Sequence, residues 1–175
     1  MSAFANVDEA IAFLRKDSHP DKVRADYPDA ARYLGESGDE HALQPLLEAL
    51  THHNPWIRST AAIGLGYLGK KEAIPHLVEA FSYDSGLYVR CDAALALGRL
   101  VAEESIPIML ERFPKEQFEV QKRIIWALGE MNTQQSRDAL AQIRDLLMTF
   151  DTADEGTEFL MSQVTEELER DANSR

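Results

Sequence analysis

The sequence is poor in cysteine and has no long apolar run. Its single cysteine, Cys91, can form neither an intramolecular disulfide nor a cysteine-rich zinc site, so nothing in the chain requires an oxidising compartment. No apolar stretch approaches the roughly 20 residues of a membrane helix, and no basic stretch precedes an apolar run at the N-terminus. We therefore expect no targeting segment, no membrane partner and a cytoplasmic location.

Positive charge is also scarce. The 175 residues include 18 lysines and arginines against 30 acidic residues, which gives a formal net charge of −12. Such a field repels phosphate backbones and anionic lipids, so nucleic acid is not expected as a partner. With 45% hydrophobic residues the chain can build one continuous core, and we interpret residues 1–175 as a single domain.

Leucine–glycine pairs recur along the chain and reveal an internal repeat. Each pair follows the previous one by 31 or 32 residues, a period typical of stacked repeat architectures. Glycine inside a helix costs about 1 kcal/mol relative to alanine, so four glycines in register indicate that a neighbouring helix passes too close for a Cβ atom. The pairs are Leu34-Gly35, Leu65-Gly66, Leu97-Gly98 and Leu128-Gly129.

Within one unit the spacing of apolar residues is helical. In the second unit, Ile57, Ala61, Leu65 and Leu68 follow the pattern i, i+4, i+8 and i+11, and a polar turn at residues 69–71 precedes a second helical segment. Strand alternation is absent. Each unit is therefore predicted to be a helical hairpin. Because a lone hairpin cannot bury its apolar face, successive hairpins must stack to create a core.

Both ends of the chain are predicted to be helical caps. Asn6 and Glu9 form a capping-box signature for a helix near residues 7–16, and Thr152 and Glu155 do the same for a last helix at about 154–170. The C-terminal segment is strongly acidic and is interpreted as a solubilising cap, with an acidic docking tail as the alternative. The domain thus divides into an N-terminal cap helix (1–19), the repeats (20–143) and an acidic C-terminal cap (144–175).

The second and third units share one motif. It reads Ile57-Arg58-x-x-Ala61-Ala62-x-x-Leu65-Gly66 in the second unit and returns as Val89-Arg90-x-x-Ala93-Ala94-x-Ala96-Leu97-Gly98 in the third. This motif resembles the short HEAT repeat of the phycobilisome-lyase type, over about residues 20–143. The resemblance implies an all-α fold, a right-handed α-solenoid of about four HEAT-like helical hairpins with helical N- and C-terminal caps. It also implies that the first helix of each hairpin lines the concave surface.

The two end units depart from this motif. Pro28 intrudes into the first helix of the first unit, so we expect that helix to be short or broken there. Gln121 replaces the motif arginine in the fourth unit. In the regular units, Arg58 and Arg90 are predicted to reach carbonyl groups or acids of a neighbouring unit and so form a ladder; binding of a carboxylate ligand is the alternative.

The side of these first helices that faces away from the core is predicted to bind a partner. If Ile57, Ala61 and Leu65 face the core, a rotation of about 100° per residue places large aromatic, apolar and basic side chains on the opposite face. The same rotation also places the small residues Ser59, Thr60 and Cys91 there. Such a set on an acidic protein is typical of a binding surface, since aromatic residues and arginine dominate hot spots; the alternative is that some of them are buried within the solenoid. The predicted partner-binding residues are Trp56, Ile63, Tyr67, Tyr88, Leu95, Arg99, Lys122, Arg123 and Trp126.

The sequence offers no catalytic or metal-binding constellation. The five histidines lie mostly in turns, without a His-x-x-x-His pair, so we expect no metal site. The deoxyhypusine hydroxylases, whose fold this one resembles, place an iron pair on repeated His-Glu dipeptides, whereas here the order at Glu40-His41 is reversed and solitary. Cys91 lies beside Arg90 but has no histidine in its unit, so we expect no nucleophilic role for it.

These observations predict a non-catalytic scaffold or adaptor, an assembly or regulatory factor whose concave face binds another protein without a cofactor. The resemblance implies an alternative, a phycobilin lyase subunit or a bilin-binding chaperone. In that case Arg99, Lys122 and Arg123 would meet the propionates of the bilin, and the aromatic residues of the face would enclose the tetrapyrrole.

Overall fold

A computed structural model describes residues 4–15, 26–150 and 154–172. Within these ranges the regular structure is entirely helical, which confirms the predicted all-α solenoid of helical hairpins. Short 3₁₀ turns precede α3, α5 and α7 and follow α7. The α-helices are α1 (Val7–Arg15), α2 (Asp26–Glu36), α3 (Leu43–Leu50), α4 (Pro55–Leu68), α5 (Ile74–Tyr83), α6 (Leu87–Arg99), α7 (Ile106–Arg112), α8 (Phe118–Met131), α9 (Gln134–Leu147) and α10 (Glu155–Ala172).

The helices form two layers. In one layer α2, α4, α6 and α8 lie side by side, each against the next. In the other layer α3 and α5 pack against α4 and α6, the helices that follow them in the chain, and α9 packs against α8. At the ends of the stack α1 contacts α2 and α3, and α10 contacts α8 and α9. The terminal helices therefore cover the two open ends of the repeat core.

Three of the four repeated glycines lie where neighbouring helices of the first layer touch. A Cβ atom on Gly66 would lie 2.9 Å from the Cα of Ala96, and one on Gly98 would lie 2.8 Å from the Cα of Ala127. A Cβ on Gly35 would overlap the Cβ of Tyr67 in the same way. The prediction of close helix approach is thus confirmed at Gly35, Gly66 and Gly98, and it explains why these positions accept the helical cost of glycine. At Gly129, in contrast, a Cβ atom would meet the Glu167 side chain of α10 and not a helix backbone.

The hairpin turns use the left-handed backbone region. Gly38 and Gly69 have φ angles of 64° and 72°, and Asn132 has a φ of 49° at the end of α8. The third hairpin lacks a residue suited to this conformation, and Val101 adopts a φ of 51° there. A β-branched side chain in this region is strained, because its Cβ crowds the backbone.

The predicted arginine ladder is present at the junctions between units. The Arg58 guanidinium donates to both carboxylate oxygens of Asp84, over 2.6 and 2.8 Å, and to the carbonyl oxygen of His52 over 2.8 Å. Arg90 repeats the arrangement one unit later, donating to the Glu116 carboxylate and to the Asp84 carbonyl oxygen. Both guanidinium groups are occupied within their own chain, which favours the interface role over binding of an external carboxylate.

The fourth unit keeps a remnant of the ladder. The Gln121 side-chain amide donates to the carbonyl oxygen of Phe113 over 2.9 Å, as the arginines do to the carbonyls of the preceding loops. Gln121 therefore preserves the carbonyl contact of the motif arginine and loses its ion pair.

The helix starts at the two ends agree in part with the capping signatures. The Asn6 side chain accepts from the Glu9 backbone N–H over 2.8 Å, and α1 begins at Val7 as predicted. The Thr152 signature lies outside the described residues; Asp154 accepts from the Thr157 backbone N–H over 3.0 Å and caps α10. In the first unit, α2 is short, as expected, but continues through Pro28 because this proline occupies its first turn.

No helix in the described ranges has the length and hydropathy required to cross a bilayer.

Candidate functional site

The side-by-side layer presents one continuous surface, which we call the inner face. It is the side of α2, α4, α6 and α8 that points away from the second layer. Because equivalent positions recur every 31 or 32 residues, their side chains form rows across the four helices. The rows are Arg32, Ile63, Leu95 and Trp126; Asp29, Asp92 and Arg123, whose equivalent in the second unit, Thr60, is buried; Glu36, Tyr67, Arg99 and Glu130; and Trp56, Tyr88 and Glu119.

A shallow depression of about 260 Å³ lies in the middle of the inner face. Ile63 and Leu95 are half-buried and form its apolar floor, while Tyr67 and Arg99 line one side. Its wall is completed by Asp92 and by residues of α2. The depression therefore joins residues of three successive units, as the predicted site requires.

Arg99 is held over the rim of this depression by two neighbours. Its guanidinium carbon lies 4.3 Å from the centroid of the Tyr67 ring, and Nη2 lies 3.5 Å from the tyrosine hydroxyl. Its Nε lies 3.7 Å from a carboxylate oxygen of Glu130. A cation on an aromatic face and beside an acid is fixed in position before any partner arrives.

The two tryptophans of the inner face lie in different environments. The Trp56 ring stacks on Tyr88, with centroids 5.5 Å apart and planes inclined by 25°, and is half-buried, whereas Tyr88 is 57% exposed. Trp126 is 50% exposed and lies under the Arg123 guanidinium, which is 5.4 Å from its ring centroid. The structure thus brings Trp56 and Tyr88 together, as their repeat positions predict.

Two further aromatic residues extend the inner face and were not predicted. The rings of Phe118 and Phe159 lie 5.7 Å apart, and both side chains are partly exposed. Lys122 lies over both rings, with Nζ 4.9 Å from the Phe118 centroid, and forms an ion pair of 2.8 Å with Glu119. Phe118 lies one residue outside the repeat register and Phe159 belongs to the terminal helix α10, so the repeat period could not find them. The sequence feature that could have indicated Phe159 is the apolar side of α10.

Three small residues that the helical rotation placed on this face are instead buried. Ser59 and Thr60 are covered by the neighbouring helix, and Cys91 is buried as well. Burial and the nearby Asp92 carboxylate raise the pKa of the Cys91 thiol to about 11, so it is uncharged at neutral pH and poorly nucleophilic. These three residues are buried because, in a side-by-side layer, adjacent helices cover the flanks of each helix and leave only its outermost ridge exposed.

Asp92 remains accessible from the depression, although its carboxyl group is largely desolvated. It accepts a hydrogen bond from the Ser59 hydroxyl. Burial raises the pKa of Asp92, while the Ser59 hydrogen bond and the charges of Arg123 and Arg99 partly offset that effect. A carboxylate in such a position is costly for the fold, which makes it a candidate for a functional role.

The four histidines in the described residues lie away from the inner face, and His19 lies outside them. His41 contacts the Asp39 carboxylate, with Nδ1 2.7 Å from Oδ1, and the rings of His52 and His53 lie 4.2 Å apart in the loop before α4. In the described ranges no three His, Cys, Asp or Glu side chains are grouped so as to hold a metal ion.

Comparisons with known proteins agree with this architecture. The family profile for HEAT repeats matches residues 7–98, just over half of the chain, and the profile for the PBS lyase HEAT-like repeat matches residues 89–113. No curated protein matches the sequence.

Two solved structures are similar to the whole chain. The first is the complex of CpcE and CpcF of phycocyanin lyase from Nostoc sp. PCC7120, with 21% identity, a TM-score of 0.67, and coverage of 95% of this chain and 66% of that chain. The second is an engineered protein, with 19% identity, a TM-score of 0.53, and coverage of 94% and 79%. At these identities the likeness shows the fold alone.

Proposed function

Because this chain belongs to the HEAT-repeat family, with repeats of the PBS lyase HEAT-like type, we propose that it is a non-catalytic scaffold or adaptor that binds a protein partner on its inner face. One observation carries the proposal: Tyr67, Tyr88 and Trp126 remain exposed, while Arg99, Trp56 and Arg123, respectively, already contact their rings. Large, rigid aromatic side chains bind with little loss of conformational entropy, and they dominate protein-binding hot spots.

The charge distribution supports the same proposal. The inner face carries nearly equal numbers of basic and acidic residues, so the excess of acids that makes up the net charge of −12 lies on the rest of the molecule. A nearly neutral, aromatic surface on an otherwise anionic protein can be desolvated at lower cost than its surroundings. The similar CpcE and CpcF chains are themselves recorded in a complex of two proteins.

The test is a capture experiment with the double variant Trp56→Ala and Trp126→Ala. Purified tagged protein is incubated with lysate of the organism that encodes it, and captured proteins are quantified by mass spectrometry. The double variant should lose the partner while its helical circular dichroism persists, because neither ring fills the core between the layers. Tyr83→Ala is the matched control, since Tyr83 lies on α5 in the second layer and is 82% exposed. Equal capture by wild type and the double variant would contradict the proposal.

A second candidate is a phycobilin lyase subunit or a bilin-binding chaperone. The observations that favour it are the similar phycocyanin lyase structure and the pairing of three basic side chains with rings, namely Arg99 with Tyr67, Arg123 with Trp126 and Lys122 with Phe118. Such pairs could hold propionates beside a planar tetrapyrrole. Titration with a free bilin, followed by its visible spectrum and by co-elution on a sizing column, tests this candidate; no spectral shift and no co-elution contradict it.

A further inference from the structure

The acidic residues of the inner face divide into two classes. Four of them form ion pairs with basic residues of the same face. These pairs are Asp29–Arg32 at 3.2 Å, Glu36–Arg32 at 3.9 Å, Glu119–Lys122 at 2.8 Å and Glu130–Arg99 at 3.7 Å. Within the part of the chain that the structure describes, Asp92 is the exception, since no lysine or arginine nitrogen lies within 4.0 Å of its carboxylate.

The fold does not use the negative charge of Asp92 in an ion pair among the described residues. Its hydrogen bond comes from the neutral Ser59 hydroxyl, and an asparagine could accept that bond equally well. The depression beside it is lined by the apolar side chains of Ile63 and Leu95, by Tyr67 and Arg99, and by Asp29 and Arg32 of α2. Burial disfavours the charged carboxylate, and the Ser59 hydrogen bond and the longer-range charges of Arg123 and Arg99 offset that cost only in part.

The basic residues nearest to Asp92 already have partners. Arg32 is held by two acids, and Arg99 by Glu130 and the Tyr67 ring. Arg123 lies on Trp126 and acts on Asp92 only through its longer-range charge. Among the described acids of the inner face, Asp92 is therefore left without an ion pair, beside the apolar side chains of Ile63 and Leu95.

The complement of this arrangement is a long side chain with an aliphatic stem and a cationic head. The stem would cover Ile63 and Leu95, and the head would reach the Asp92 carboxylate. The field of a molecule with net charge −12 also attracts a basic partner from solution.

We infer that the inner face binds a protein segment that inserts a lysine or arginine side chain at Asp92, while apolar residues beside it in that segment cover Leu95 and Trp126. This inference rests on the proposed function, because it names the partner chemistry of the same surface. Asp92 is the specificity-determining residue of the interface.

The test uses random dodecapeptides displayed on phage, selected against the full-length protein. Enriched peptides should contain a lysine or arginine next to apolar residues. A synthetic copy of the enriched peptide should bind Asp92→Asn about tenfold or more weakly than wild type, because the charge-assisted bond is lost. Glu79→Gln, which removes one acid from the exposed side of α5, should bind the peptide as wild type does.

A double-mutant cycle separates a direct contact from an indirect one. Replacing the basic residue of the peptide by norleucine should weaken binding to wild type and have little effect on binding to Asp92→Asn. The thermal midpoint of Asp92→Asn should equal or exceed that of wild type, which shows that the loss of binding is not a loss of fold.

The outcomes distinguish this inference from the proposed function. The inferred contact of a basic residue with Asp92 is wrong if enriched peptides lack a basic residue, or if they bind Asp92→Asn as well as or better than wild type. If the Trp56→Ala, Trp126→Ala variant nevertheless fails to bind these peptides, the proposed binding face is still supported. If no peptide is enriched, or binding is unaffected by the two tryptophan substitutions, both are overturned.

Discussion

Substituting Asp84 by alanine tests whether the arginine ladder holds successive units together. Asp84 ends the second hairpin, and its carboxylate accepts two hydrogen bonds from Arg58 and a third, over 2.7 Å, from the Gly86 backbone N–H before α6. The two side chains are only 13% and 10% exposed. The substitution therefore leaves a desolvated guanidinium without its counter-charge.

The expected loss of unfolding free energy in Asp84→Ala is large for a single ion pair. Removing one partner of a buried pair costs about 3–5 kcal/mol, because the remaining charge stays buried. Arg58 keeps its bonds to the carbonyl oxygens of His52 and His53, so we expect a value near the lower end, about 3 kcal/mol. Urea unfolding followed by far-UV circular dichroism measures it.

The control is an exposed ion pair on the second layer. Glu111 and Lys115 lie 3.0 Å apart at the end of α7, and both are well exposed. Glu111→Ala should cost less than about 1 kcal/mol, because water and salt screen such pairs. If Asp84→Ala costs no more than Glu111→Ala, the ladder does not stabilise the stack and the reasoning fails.

The difference in unfolding free energy between wild type and Asp84→Ala should depend on pH with a definite sign. Burial would raise the pKa of Asp84, but the Arg58 ion pair and the Gly86 N–H together hold it below its ordinary value of 3.8. A carboxyl group with a lowered folded-state pKa stabilises the fold at pH values above its ordinary pKa, and this contribution is lost as the pH falls through the lower value. The difference between wild type and Asp84→Ala should therefore be constant from about pH 7 to pH 5 and shrink below about pH 4.

Three further predictions concern the backbone and the core. Val101→Gly should raise the free energy of unfolding in urea by up to about 1 kcal/mol, because the φ of 51° is strained for valine and open to glycine; a lower free energy of unfolding would contradict the strain. Gly98→Ala should cost about 1–3 kcal/mol or more in urea unfolding, since the added methyl group meets the backbone of Ala127, whereas Gly129→Ala should cost less because it meets the end of the Glu167 side chain; equal losses would argue against the close approach. Cys91 should react with iodoacetamide far more slowly in the native protein than in urea at neutral pH, as mass spectrometry would show, because burial raises its pKa to about 11; equal rates would refute its burial.

The fold could be predicted because the repeat reports the same geometry several times. The first three leucine–glycine pairs each mark one close contact between neighbouring helices, and Gly66 and Gly98 make that contact in the same way. Arg58 and Arg90 likewise repeat one junction. The left-handed conformation in the third turn could not be predicted, because valine is not a residue type that favours positive φ angles, and Val101 nevertheless adopts one there.

The candidate site could be predicted only in part. A single-helix rotation places Trp126 and Tyr88 outward, where the structure has them. The same rotation treats a helix as if it had one buried face, and therefore also placed Ser59 and Cys91 outward, although neighbouring helices bury both. The Phe118–Phe159 pair joins the last repeat to the terminal helix, so no period within the repeats can reveal it.

In each helix of the first layer, some residues contact neighbouring units and others face solvent. In α4, Arg58 joins the units and Gly66 admits the next helix, while Ile63 and Tyr67 line the inner face. The Tyr67 side chain is exposed on this face, and burial disfavours the charged form of Asp92. Substitutions there can therefore change binding without unfolding the protein, so binding measurements on this face report recognition separately from stability.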